Sequence, residues 1–109
     1  MISELKSNIW NENIRIAKYV YETLRSRYEK EPDNRRLFRD SDELGGLIER
    51  TIEMIDFINN PDKLHQHFMH ECEATRLAEE FVDRLYFEAE LMAELHKINW
   101  YSLKLNGVR

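Results

Sequence analysis

The chain has 109 residues, 42% of them apolar and 34% charged, with a formal net charge of −5. That is enough apolar material for one hydrophobic core and one domain over residues 1–109. Three glycines, two prolines and twelve aromatic residues exclude a collagenous or disordered chain and predict helix. The longest run without Asp, Glu, Lys or Arg is the seven residues from Leu64 to His70, far below the roughly 20 apolar residues that a membrane span needs. A lone Cys72 makes no internal disulfide, and the opening MISELKSNIW lacks the apolar run of a secretory signal. The expected compartment is therefore the cytoplasm.

Ile2, Leu5, Ile9, Ile16, Ala17, Val20, Leu24 and Tyr28 recur at helical spacing with polar residues between them. They predict a first amphipathic helix from about Ser3 to Glu29. Glu31-Pro32-Asp33-Asn34 ends it, because the residue before proline is driven out of the helical region. Arg35 to Arg39 is expected to form at most a short turn. Asp40-Ser41-Asp42 then offers caps for a second helix carrying Leu44, Leu47, Ile48, Ile52, Ile55 and Ile58. Gly45 and Gly46 weaken its first turn by up to about 1 kcal/mol each relative to alanine, so a close backbone contact is expected there.

Asn60-Pro61-Asp62 is a helix start, with proline at the first helical position and an acid near the positive helix end. From Asp62 to Ile98 there is neither glycine nor proline. One continuous helix here would be about 55 Å long at 1.5 Å per residue, which exceeds what a compact domain of this size covers. A break around Glu71 to Thr75, or a projecting helix covered by another subunit, is the expectation. Ala74, Ala78, Phe81, Val82, Leu85, Ala89 and Met92 form one stripe, and Phe87, Leu91, Leu95 and Ile98 form a second. Two stripes need two neighbours. The second stripe, with Trp100 and Tyr101 from a short tail that folds back on the bundle, is read as a partner or homodimer surface. The predicted fold is all-α: an antiparallel bundle of three long helices, the third open to being broken into two.

Charge is segregated along the chain. Residues 1–39 carry nine basic and six acidic groups, residues 40–96 four basic and fifteen acidic, and residues 97–109 three basic. Arg25, Arg27, Lys30, Arg35, Arg36 and Arg39, with Tyr28 and Phe38 among them, make the one basic region. It is a candidate contact for phosphates or an acidic partner. Glu29, Glu31 and Asp33 blunt it, and the plainer reading is a charged loop that pairs with the acidic third helix. On a continuous helix His67, His70 and Glu71 would share one face and offer two imidazoles and a carboxylate to zinc. A fourth ligand is missing, so no metal and no cofactor is predicted.

Glu49 with Glu53, and Glu79 and Glu80 with Asp83, set carboxylates at helical spacing on two helices. Glu80-Phe81-Val82-Asp83 resembles the E-x-x-D helix of the all-α nucleotide pyrophosphohydrolases of the MazG type, whose other helix carries E-E-x-x-E. Asp42-Glu43-Leu44-Gly45-Gly46 departs from that pattern with glycine in place of the third acid. Glu49-Arg50-Thr51-Ile52-Glu53 departs with arginine in place of the second. The resemblance implies a divalent-metal-dependent nucleotide hydrolase. Against it, the wheel gathers Glu79, Glu80, Asp83, Glu90 and Glu94 opposite Phe81 and Leu85, as in a solvated face. Serine-nucleophile motifs, phosphate-binding loops and CxxC pairs are absent from the sequence.

The expected function is therefore that of a small acidic protein–protein interaction module, a regulator or inhibitor of phage or mobile-element type. It would work by occupying a partner's surface without catalysis. A nucleotide pyrophosphohydrolase and a nucleic-acid-binding regulator using residues 25–39 are the alternatives.

Overall fold

A computed structural model describes residues 4–67 and 69–99. Among these residues the chain is all-helical, in four helices: α1 (Glu4–Lys30), α2 (Arg35–Asn59), α3 (Pro61–Gln66) and α4 (Glu71–Leu95). Each of the three long helices packs against the other two, and the short α3 packs on α2. No helix among the described residues is long and apolar enough to cross a membrane.

The first helix buries Trp10, Ile14, Ala17, Val20 and Leu24, at spacings of three and four. Ile16 is also buried, whereas Leu5 and Ile9, assigned above to the core stripe, are exposed. The buried face of the first turns runs through Trp10 and Ile14, one position round the wheel from Leu5 and Ile9. The helix closes where the Glu31 amide donates to the carbonyls of Arg27 and Tyr28, both at 3.0 Å.

The second helix starts at least six residues earlier than the Asp40-Ser41-Asp42 caps suggested. Asn34 is the cap, its side chain accepting from the Leu37 amide at 3.2 Å, as asparagine does at this position. Arg35 to Arg39 is thus the first turn of α2, and Asp40 and Ser41 are buried inside it. Ser41 and Thr51 satisfy their hydroxyls on the carbonyls of Phe38 and Leu47. Of the two glycines, Gly45 faces α1 closely: a Cβ there would lie 2.7 Å from Tyr21 Cε1, while Gly46 would meet nothing within 4 Å.

Asn60 ends α2 and precedes Pro61, the first residue of α3. The long C-terminal segment is interrupted between α3 and α4, before the interval expected from the sequence. The Met69 amide donates to the Leu64 carbonyl at 3.0 Å, and Leu64 and Met69 join a second cluster with Trp10, Ile58, Ala74, Ala78 and Val82. This turn keeps the molecule within 44 × 30 × 16 Å, shorter than an unbroken helix of this segment would be. The main core joins Leu24, Leu44, Leu47, Leu85, Ala89 and Met92 from the three long helices. At the end of α4, Lys97 has φ 56° and the Ile98 amide donates to the Ala93 carbonyl at 2.7 Å. A left-handed residue closes the helix this way and folds Ile98 into the core.

Candidate functional site

The most exposed apolar surface of α4 lies opposite its core face. Phe87 is 68% exposed, Leu91 51% and Leu95 50%. Four residues apart, they form a stripe winding slowly round the helix over about 12 Å, and Phe87 stands about 160° from the fully buried Leu85. Ile98, grouped with them in the sequence reading, does not belong to this face: it is only 7% exposed, because the left-handed turn at Lys97 redirects it inward. Trp100 and Tyr101 lie outside the described residues.

The flanks of the stripe differ. On the side toward α1, Asp83, Glu90 and Glu94 fall within about 60° of Phe87, and none of the three makes an ion pair among the described residues. Glu80, on the other side of Phe87, is paired with Arg76 at 3.1 Å. On the side toward α2, Arg84 and Glu88 share a cleft of about 340 Å³ with Glu43 and Arg50, so that flank balances its own charge. Exposed Leu5 and Ile9 of α1 join Lys6, Trp10, Glu79 and Asp83 around a second cleft of about 350 Å³. The acidic row of α4 is therefore edged by apolar side chains from two helices. The exposure of Leu5 and Ile9 depends on the rotation of α1, which periodicity alone did not resolve.

The other constellations separate. His67 ends α3 and His70 precedes α4, so His67, His70 and Glu71 have no common helical face. Among the described residues no group of three or more His, Cys, Asp or Glu is arranged to hold a metal ion. A cleft of about 730 Å³ beside α3 is lined by Ile58, Leu64, Met69, His65 and His70. Glu49 and Glu53 are exposed on α2, as are Glu80 and Asp83 on α4, while Glu79 pairs with Lys6 across to α1. They form no inward cluster that could grip Mg²⁺ between helices.

The basic residues are largely engaged within the fold, and chiefly with α2 rather than with the acidic C-terminal helix. Arg25 is held in a box of rings, its guanidinium carbon 5.3 Å from the Phe38 centroid, 5.7 Å from Tyr21 and 6.0 Å from Tyr28. It also reaches Asp42 at 3.7 Å. Arg27 donates to the His96 carbonyl at the end of α4. Arg36 and Arg39 lie 3.7 and 3.6 Å from Asp40, and Arg35 is exposed at the start of α2. On α1, Arg15 has its pKa raised above the usual arginine value by the carboxylate of Glu12, so it carries a permanent charge.

One polar pair had no signal in the sequence. His96 Nε2 donates to Asp40 Oδ2 at 2.7 Å, with side chains only 11% and 9% exposed. The two residues stand 56 positions apart and join the first turns of α2 to the end of α4. Its near-complete burial and enclosure by Arg27, Arg36 and Arg39 make it a fastening of the fold rather than a reactive site. Comparison of the chain with protein-family models, with curated proteins and with solved structures finds no match.

Proposed function

We propose that this protein is a non-catalytic interaction module that acts by docking a protein partner on the outer face of α4, and that its scaffold is an antiparallel three-helix bundle. Two contacts support that topology. Lys6 meets Glu79 and Arg27 meets the His96 carbonyl, so α1 and α4 advance in the same direction and α2 returns between them. The observation that carries the functional reading is the exposure of Phe87, Leu91 and Leu95 in one stripe on a helix whose opposite face already fills the core. Large aromatic and aliphatic side chains inside a charged rim are the residue types that anchor protein interfaces. By contrast, the carboxylates form no metal-holding group among the described residues and the arginines are largely engaged. Such a module regulates or inhibits by occupying a surface.

A photo-crosslinking residue placed at Leu91, and separately at exposed Lys18 on α1, tests this in cells of the source organism. Covalent protein adducts are expected at position 91, lost when Phe87→Asp is added, and absent at position 18. An adduct containing only a second copy identifies a homodimer. No adduct at position 91 overturns the reading.

A further inference from the structure

The apolar stripe of α4 is bordered by acids alone on its side toward α1, and this constrains what covers it. Asp83, Glu90 and Glu94 run alongside Phe87 and Leu91 without an ion-pair partner among the described residues. A two-fold pair of copies sets a patch against itself. Helices meeting antiparallel about this stripe would bring the acidic flank of one copy against the acidic flank of the other, which opposes association. A segment with cations beside its own apolar residues would neutralise the same row. Beyond that row Leu5 and Ile9 of α1 stand exposed, and Ile9 and Asp83 line one cleft with Trp10.

Resting on the reading of α4 as a docking face, we propose that its occupant is an amphipathic helix of a partner protein whose apolar stripe is bordered by Lys or Arg. Such a helix lies along the outer face of α4, its apolar residues against Phe87, Leu91 and Leu95 and its cations over Asp83, Glu90 and Glu94. This is recognition of an amphipathic helix by an apolar stripe with a charged edge. The unpaired carboxylates steer the approach, and the association weakens as salt screens them.

The probe is a synthetic helix of about 14 Leu and Lys residues, long enough at about 21 Å to span the stripe, with a counterpart in which Glu replaces every Lys. Both are titrated calorimetrically into the full chain, whose mass is measured by light scattering. The Lys peptide is expected to bind one per chain, more weakly at high salt, and the Glu peptide not to bind. Leu91→Asp, and separately Asp83→Lys with Glu94→Lys, are expected to weaken binding by at least about tenfold, a loss of about 1.4 kcal/mol. Glu49→Lys with Glu53→Lys on α2 leaves it unchanged, and a thermal melt of each variant checks that it is folded. No binding, equal binding of the Glu peptide, or loss in Leu91→Asp without loss in the Asp83 and Glu94 variant overturns the basic partner and leaves the α4 face standing. Binding of the Lys peptide that Leu91→Asp does not alter overturns both readings. A doubled mass that Leu91→Asp halves makes the occupant a second copy and also overturns the basic partner.

Discussion

Replacing His96 by alanine tests the tertiary organisation at one bond. The imidazole donates to Asp40 at 2.7 Å with both side chains about nine-tenths buried. Its removal leaves a buried carboxylate whose nearest cations, Arg39 and Arg36, stand at 3.6 and 3.7 Å on its exposed side. A hydrogen bond to a charged group contributes about 1.5–3 kcal/mol, and a partner left buried and unsatisfied adds its own desolvation cost. The Arg27 contact is to the backbone carbonyl of His96, so the substitution does not remove it. The expected loss is about 2 kcal/mol, which lowers the melting temperature of a domain of this size by about 8–10 °C. Thermal and urea melts of the wild type, His96→Ala, Asp40→Ala and the double variant form a double-mutant cycle. Coupling of at least about 1 kcal/mol is expected for groups in direct contact. A change of under 2 °C in His96→Ala, or coupling indistinguishable from zero, would show that α2 and α4 are not fastened here.

The adjacent glycines should respond in opposite directions. Gly46 faces open space, so Gly46→Ala is expected to raise stability by up to about 1 kcal/mol through helix propensity. At Gly45 the new methyl would meet the Tyr21 ring at 2.7 Å, and overpacking of this kind costs about 1–3 kcal/mol; Gly45→Ala should melt below the wild type, and equal melts for the two variants would contradict the packing of α1 on α2. Metal addition supplies a further check. A site occupied at 100 times its Kd would add about 2.7 kcal/mol to stability, so Zn²⁺ or Mg²⁺ should leave the melting temperature within about 1 °C, and a rise of several degrees would show that the histidines or carboxylates assemble a site.

Local chemistry made some boundaries legible and misled at others. Pro32 and Pro61 drive the residue before each of them out of the helical region, and the chain leaves helix at Glu31 and at Asn60. Asp40 and Ser41 have the composition of a helix cap, yet both are buried within α2, because Asp40 meets a histidine more than half the chain away and Ser41 satisfies its hydroxyl on Phe38. A cap and a buried bridging acid look alike until the distant partner is known. The length of the C-terminal segment called for a break, but its position between α3 and α4 was equally hidden. No glycine or proline marks it; it is held by Leu64 and Met69 turning into a cluster with Trp10 and Ile58.

The candidate site divides in the same way. That α4 carries two apolar stripes with acids beside one of them follows from the order of its residues at 100° per step. So do the helical class and the turns around Pro32 and Pro61. Which stripe is buried, why Ile98 leaves the outer one, that Leu5 and Ile9 face outward, and that Arg25 is enclosed by rings were decided only by how the helices rotate and pack. Periodicity fixes the angle between side chains on one helix. The direction in which that angle points is set by neighbours distant in the chain.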